Sequence, residues 1–416
     1  MAIQLQLGFV NYKKDSYIVV EGKQNADRFF IIHQGKVRIS KEVEVVAEEG
    51  GNVLGPGDFF AVVSTMSSHS HIETAQALTD IVLISVHKEQ YGDLIQKNTP
   101  VAMKIILQFS RRLRFLDEAL SRLTLKNSVE ADPSHLFNIA EYYVRQSRYN
   151  QAYYAYAKYL KYCPLGKQVS ETKDRMAKIA MFVKGVKIEF GPQEFNRVYP
   201  KNSMLFAEGE PGDELFIIQK GSVTIAKIVD NNEVLLAVLK QGDIFGEMAL
   251  LEAKPIVANA VAYEECQVLA VNRANFEQMI KSQPQLIAKL TTLLAERIWF
   301  IYKQLANTLI IDPVGRMYDV LRIQLEKNRV PLENNTPYIF DFGPKELANM
   351  VGVPQKDVNQ LMRKILEDRK ITIEGDKIFA ASVLEIVKQA EYYHKMQRIE
   401  NARKESRSQL FPGTAG

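Results

Sequence analysis

Apolar and polar positions along the chain follow one plan twice: short runs of alternating character punctuated by glycine, then one long stretch with an apolar stripe at helical spacing. In the first copy the strand-like runs are 17–21, 29–40 and 81–86, with turns at Gly35 and at Gly55-Pro56-Gly57-Asp58. The second copy has 203–208, 215–228, 234–239 and 267–271, with turns at Gly212-Asp213, Lys220-Gly221 and Gln241-Gly242-Asp243. Many short strands at this spacing predict a β-roll or barrel in each half. After the first roll, Ala102, Ile106, Phe109, Leu113, Leu116, Leu120 and Leu123 alternate three and four apart, the seam of a helix that pairs with another. Ile287, Leu290, Leu294, Ile298, Ile301 and Leu305 form a similar stripe that drifts by one position midway, on a helix expected over 276–305. A stripe packed on its own roll is the plainer alternative. Pairing within the chain and pairing across two chains both remain open.

Between the rolls, 133–164 is helical in pattern, with Leu136, Ile139, Ala140, Tyr143, Ala152, Tyr156, Tyr159 and Pro164 on an inward face. This spacing resembles one tetratricopeptide repeat, with Ala140 at the small-residue position and Tyr159 where a small residue is usual. One repeat cannot bury its own face. The amphipathic stretch 169–186 is therefore expected to cap it, giving a helical spacer; a peptide-binding groove is the sharper alternative.

The last third carries the clearest chemistry. Residues 344–350 read as a short helix, Gly352 as a tight turn, and Pro354 as the first position of a second helix running to about 368. Leu347, Ala348, Val351, Val353, Val358, Leu361, Met362 and Ile365 then share the buried faces. Two strands, 370–373 and 377–380, flank a turn at Gly375-Asp376. The pattern predicts a winged helix-turn-helix over 342–380. Its second helix turns Gln355, Lys356, Asn359, Gln360 and Arg363 outward. Such side chains read bases: Gln bridges adenine N6 and N7, and Lys or Arg donates to guanine O6 and N7. Lys345 and Lys364 are placed for phosphates, and Lys395, Arg398, Arg403 and Lys404 for further counterion-releasing contacts. A solvated polar face serving protein contacts is the competing reading. The tail is helical in pattern from 384 to about 403 and loosens at Ser406-Arg407-Ser408 and Pro412-Gly413-Thr414, with disordered last residues expected.

Composition narrows the classes without choosing among them. A chain of 416 residues has room for about three domains. Hydrophobic content of 46%, charged content of 25% and a mean hydropathy of -0.16 fit a folded, water-compatible protein with no membrane partner. Residues 1–10 lack a basic then apolar leader pattern, so the cytoplasm is expected. Cys163 and Cys266 stand far apart without metal-ligand company, so packing roles and no metal site are expected. A net charge of +4 is compatible with nucleic acid but weak. There is no phosphate loop, zinc-protease helix or nucleophile elbow, so no catalytic residues and no enzyme are expected.

From 187 to 380 the chain resembles the cAMP-receptor-protein family of bacterial transcription regulators (the CRP/FNR type). The carrying residues are Gly212-Asp213, the run from Gly242-Asp243 through Gly246-Glu247-Met248-Ala249-Leu250-Leu251, Asp312-Pro313-Val314-Gly315-Arg316, and the Gly352-centred helix pair. The stretch 1–125 resembles a second, more divergent cyclic-nucleotide-binding roll, marked by Gly57-Asp58-Phe59-Phe60 and Thr74-Ala75-Gln76-Ala77. The resemblance implies an α+β multidomain protein: a degenerate cyclic-nucleotide-binding-like roll with trailing helix (1–128), a TPR-like spacer (132–186), a second roll with a dimerisation helix (187–308), a winged helix-turn-helix (309–383) and a basic tail (384–416).

It also implies an effector site. In the family, amides of a short helix and one arginine hold the cyclic phosphate while a glutamate takes the ribose hydroxyl. Gly246, Glu247, Met248, Ala249 and Leu250 match that helix in the second roll, but the arginine falls at Ile256 or Val257. In the first roll Ala61 and Val62 replace the glycine and glutamate, and His71, with His69 and Thr74 nearby, stands at the arginine position as a poor, partly charged substitute. The loop Ser68-His69-Ser70-His71 is expected to be exposed rather than a metal site. Three readings follow: weak cyclic-mononucleotide binding, another effector such as a cyclic dinucleotide, or ligand-free scaffolds. The missing arginines favour the last two and disfavour ordinary cAMP. Double-stranded DNA, a homodimer on a near-palindromic operator with half-sites about one helical turn apart, and RNA polymerase are the implied partners. An interaction scaffold with non-specific DNA contact is the alternative function.

Overall fold

Each half of the chain builds the same pair of four-stranded antiparallel sheets. In the first roll the orders are Gly8–Tyr12, Ile81–His87, Arg28–Gln34, Phe59–Phe60 and Tyr17–Val19, Thr74–Ala77, Val37–Ser40, Val53–Leu54. In the second they are Asn196–Tyr199, Cys266–Asn272, Glu214–Lys220, Ile244–Phe245 and Met204–Phe206, Asn259–Ala262, Val223–Val229, Asn232–Leu239. The computed structural model describes residues 8–24, 26–41, 51–125, 132–191, 193–229, 232–351, 355–367 and 370–410. Alternation fixes the inward faces: Ile81–His87 and Cys266–Asn272 share one burial pattern, with Leu83 and Val268 fully buried. The runs 29–40 and 215–228 each divide into two strands, at Gly35 and Gly221. Both glycines have positive φ (96° and 81°), and a Cβ would meet the Asp80 carbonyl oxygen at 2.7 Å and the Glu265 carbonyl oxygen at 2.4 Å.

The two rolls meet through their long helices, Thr99–Leu125 and Pro284–Thr308, which pair within the chain. Ala102, Ile106, Phe109, Leu113 and Leu116 are buried with Ile287, Leu290, Leu294, Ile298, Ile301 and Leu305 in one core shared by both halves. At about 2 kcal/mol for each buried Leu or Ile, the seam outweighs any single polar link, each worth about 1 kcal/mol net. It closes earlier than its spacing implied, because Leu123 is 53% exposed. The helix expected over 276–305 is two, Arg273–Ser282 and Pro284–Thr308. Pro284 offers no backbone donor and drives Gln283 out of helical geometry (φ −134°, ψ 65°).

The spacer is a helical hairpin, His135–Arg145 and Tyr149–Tyr162, turning at Ser147 (φ 57°), with Val169–Ile179 laid against it. Its expected inward residues are buried except Pro164, which is exposed. Tyr159 fits a small-residue position because Gly166 makes room; a Cβ on Gly166 would lie 2.3 Å from the phenol oxygen. The hairpin packs on the second roll: Met204, Ala207 and Val261 join its core, and the Tyr154 hydroxyl donates to the Leu205 carbonyl at 3.0 Å.

Beyond the second long helix come Pro313–Lys327, the strand Tyr338–Ile339, the helices Pro344–Val351 and Gln355–Glu367, the ribbon Ile371–Glu374 and Lys377–Ala380, and the helix Val383–Leu410. Asp312 caps the first of these by accepting from the amides of Val314 (2.7 Å) and Gly315 (3.3 Å), with Pro313 in its first turn. A Cβ on Gly315 would come 2.7 Å from the Tyr393 ring, so glycine there admits the last helix. That helix continues through Ser406-Arg407-Ser408 to Leu410 rather than loosening near 403, and its Val383, Ile386, Val387 and Ala390 belong to the C-terminal core. The expected disorder at 412–414 lies outside the described residues.

Candidate functional site

The second roll's short helix, Glu247–Glu252, starts from Gly246 in left-handed geometry (φ 78°). Met248, Ala249 and Leu250 are buried. Gly212 lets the neighbouring turn close on this helix, since a Cβ there would stand 2.4 Å from the Ala249 side chain and 2.9 Å from Ile256. Glu247 is 2% exposed and accepts from Arg297 of the second long helix at 2.5 Å. Its carboxylate is therefore already held, and neither Ile256 nor Val257 supplies a cation beside it.

Deeper in the roll, other polar residues gather. Asn259 Oδ1 accepts from the Glu208 amide at 3.0 Å, and Lys227 Nζ donates to Ser121 Oγ at 3.3 Å. Glu208, Lys227 and Asn259 are buried, and among the described residues Glu208 Oε2 and Asn259 Nδ2 lack a hydrogen-bond partner. Unpaired buried polar atoms cost about 1–3 kcal/mol each. Burial pushes the Glu208 carboxyl up to about 7, against the pull of Lys227. Asp117 of the first long helix is close enough to Lys227 to feel its charge; burial raises the Asp117 pKa, while Arg297, Lys227 and Arg114 oppose the rise. Arg114 also binds Glu252 Oε2 at 3.1 Å and the Pro255 carbonyl at 3.0 Å, and Ser110 donates to Glu252 Oε1 at 2.7 Å. The first half of the chain thus contributes Ser110, Arg114 and Ser121 to the polar contacts around the second roll's short helix and core.

The first roll presents the same positions with different contents. Ala61 occupies the left-handed place of Gly246 (φ 64°), and its amide donates to Glu73 Oε1 at 2.9 Å. Arg112, the counterpart of Arg297, lies 3.9 Å from the other oxygen of Glu73. A buried carboxylate of the chain itself therefore sits over this short helix. Thr74 Oγ1 accepts from the Glu21 amide at 3.0 Å, repeating the Asn259 and Glu208 contact, and Tyr302 of the opposite long helix donates to Glu21 Oε1 at 3.5 Å. The Ser68-His71 loop is not the exposed loop expected. Ser70 and His71 are buried, and His69 stacks on Trp299 with ring centroids 4.0 Å apart. Burial, helped by Arg329, Lys303 and Lys88, pulls the His69 pKa down to about 4, so the ring is neutral near pH 7 and supplies no cation. No group of three or more metal-ligating side chains occurs among the described residues.

In the C-terminal part, Leu347, Ala348, Val351, Met362 and Ile365 are buried and Leu361 is half-buried. Asn359, Gln360, Arg363, Lys364 and Lys345 are exposed, as is the ribbon tip from Thr372 to Asp376. Gln355 and Lys356 open the helix Gln355–Glu367; their side chains, and that of Val358, lie outside the described residues, as do Gly352, Val353 and Pro354. A Cβ on Gly343 would stand 2.2 Å from the Asp376 carbonyl, so that glycine lets the ribbon close on the start of Pro344–Val351. The basic tail residues Lys395, Arg398 and Arg403 are exposed, and the side chain of Lys404 is not described.

Residue patterning missed Glu208, Lys227, Asn259, Asp117 and Arg297. A usable signal existed: aligning the two copies pairs Glu208 with Glu21, Lys227 with Lys41, Asn259 with Thr74 and Arg297 with Arg112.

Comparison with known proteins agrees with the doubled roll. The family model of the cyclic nucleotide-binding domain matches residues 9–98 and 196–283. The CRP-like cAMP-activated global transcriptional regulator of Mycobacterium tuberculosis (strain ATCC 25618 / H37Rv) is 27% identical over 194 residues, 46% of this chain and 86% of that protein. The cAMP-activated global transcriptional regulator CRP of Pasteurella multocida is 28% identical over 182 residues, 43% of this chain and 87% of that protein. A solved structure of the c-di-GMP-responsive global regulator CLP of Xanthomonas campestris shares 20% identity over 44% of this chain and 92% of its own, with a TM-score of 0.36. No helix among the described residues is long and apolar enough to cross a membrane. The chain has two domains of the cyclic nucleotide-binding type, matched by that family model at 9–98 and 196–283, and is similar to CRP-like transcriptional regulators.

Proposed function

We propose that the chain is a DNA-binding transcription regulator of the CRP-like type, not an enzyme, acting in the cytoplasm with RNA polymerase as a further partner. Its reader is a winged helix-turn-helix within 309–383. Gln355, Lys356, Asn359, Gln360 and Arg363 contact bases, and Lys345 and Lys364 contact phosphates. The observation that carries this reading is the two-faced helix Gln355–Glu367. Its Met362 and Ile365 are buried, while Asn359, Gln360, Arg363 and Lys364 are exposed. A selection from a randomised duplex library with the full chain tests it. Enrichment of a defined motif is expected; recovery of no motif contradicts it.

The second roll is the effector site, through Gly246, Glu247, Met248, Ala249 and Leu250. The donors remaining for an anionic group are Lys227 and Asn259, since the cation beside Glu247 is committed to it. This donor set, without an arginine for a cyclic phosphate, favours a nucleotide-type effector other than cAMP, a cyclic dinucleotide among them. Calorimetry must use the full chain, because Ser121 and Arg114 of the first half bond to Lys227 and Glu252 of the second roll, and Asp117 acts on Lys227. Micromolar cAMP binding to the full chain would contradict this reading. The tetratricopeptide-like hairpin acts as a spacer. His69, His71 and Thr74 of the first roll hold no effector, because Glu73 fills the position over its short helix. That filling also favours the second function, an interaction scaffold with ligand-free rolls. Salt-sensitive DNA binding without sequence preference would support the scaffold.

A further inference from the structure

We propose that one chain is a complete, built-in dimer that presents a single DNA reader, so its recognition element is one asymmetric half-site rather than a palindrome. This rests on the DNA-reading function above. The two rolls are related by reciprocal contacts. Trp299 Nε1 donates to the Ser70 carbonyl at 3.2 Å, and its counterpart Arg114 donates to the matching Pro255 carbonyl at 3.0 Å. The short helix Val62–Ser67 packs on the second long helix, and Glu247–Glu252 packs on the first. Tyr302 reaches Glu21 in one roll, while its counterpart Asp117 faces Lys227 in the other. Each half thus lays its short helix on the other's long helix and receives a side chain from it at equivalent positions, as two subunits related by a twofold axis would.

Three consequences follow from that arrangement. The seam is already filled: Leu113, Leu116, Ile298 and Ile301 are buried in it, so a second copy cannot use it without separating the halves. The halves also continue differently. After Pro284–Thr308 the chain enters the helix pair and ribbon of the reader, whereas the described chain after the first long helix forms the hairpin that packs on the second roll. Among the described residues there is one reader helix to one seam. Finally, the first roll holds that reader in place. Arg329, in left-handed geometry (φ 55°), donates to the Ser67 carbonyl of the first roll's short helix at 3.3 Å and to Glu296 at 3.1 Å. The degenerate roll stands where a second subunit would, orienting the reader without carrying another.

The test uses the wild-type full chain. A randomised-library selection is followed by native mass spectrometry of the protein on the selected duplex. The expected result is one non-palindromic core bound by one chain, with scrambling of the flanking sequence changing affinity by less than about twofold. Inverted half-sites about one helical turn apart, two chains per duplex, and a tenfold or greater loss on scrambling either half would overturn the proposal while leaving DNA reading intact. Recovery of no motif would overturn DNA reading itself, and this proposal with it.

Discussion

The two rolls share strand order, register and turn glycines, yet their short helices are filled in opposite ways. In the first, Ala61 and Val62 stand where the second has Gly246 and Glu247, Glu73 covers the helix, and a neutral His69 packs on Trp299. In the second, Glu247 is clamped by Arg297, and among the described residues buried Glu208 Oε2 and Asn259 Nδ2 lack a hydrogen-bond partner. The same scaffold thus accommodates different side-chain chemistry at its short helix, because strand alternation and the helix seam stabilise it independently. The first roll places a carboxylate over its short helix, whereas the second gathers buried Glu208, Lys227 and Asn259.

The sharpest way to break this comparison is to remove the first roll's anchor. Trp299→Ala deletes a fully buried indole, its stacking on His69 and its bond to Ser70. A loss of about 3–5 kcal/mol in urea unfolding is expected, with the first roll's amides exchanging faster than the second's. A loss below about 1 kcal/mol would mean the first roll is not held by the seam.

Next in size is the pH dependence of the second roll. The Glu208 carboxyl sits at about 7 in the fold against an ordinary 4.5, so the folded state favours the proton. Its contribution to stability is full below about 4.5 and is lost as pH rises through about 7. Glu208→Gln should flatten that part of the profile and gain up to about 3 kcal/mol at pH 8.

Arg363→Ala should weaken binding to the selected motif by roughly 1–3 kcal/mol, about 5- to 150-fold, with a smaller effect on unrelated duplex. Gel shifts on both duplexes read the difference, and equal losses on the two would mark Arg363 as a phosphate contact only. The smallest effects concern the helix starts. Gly246→Ala combines left-handed strain with a 3.0 Å approach to the Glu214 carbonyl and should cost about 1–2 kcal/mol. Ala61→Gly trades relieved strain against added unfolded-chain freedom and should change stability by less than about 1 kcal/mol. Thermal unfolding distinguishes the two, and equal magnitudes would remove this difference between the rolls.

Much of the architecture is legible in residue order. Alternation with glycine turns marks the two rolls, the three-and-four stripe marks the seam of both long helices, and the buried faces of Pro344–Val351 and Gln355–Glu367 follow from spacing. Local rules that yielded to the three-dimensional setting account for the misses. Pro284 breaks a stripe that looks continuous. The last helix runs past Ser406-Arg407-Ser408. Leu123 and Pro164 continue their patterns but are exposed among the described residues. Site chemistry is the least legible part, because it joins residues far apart in sequence: Glu73 with Ala61 and Arg112, and Lys227 with Ser121 and Asp117. Spacing along one element says nothing about which carboxylate will fold over which helix, and a seam stripe carries no label for the chain that fills it.

The pairing of the halves within one polypeptide is the claim on which the rest depends. Hydrogen exchange of Thr99–Leu125 and Pro284–Thr308 at a dilution where sedimentation gives a monomer tests it most directly. Slow exchange in the seam turns of both helices is the predicted result, since each is buried by the other. Fast exchange in the monomer, with protection appearing only as a dimer forms, would contradict it.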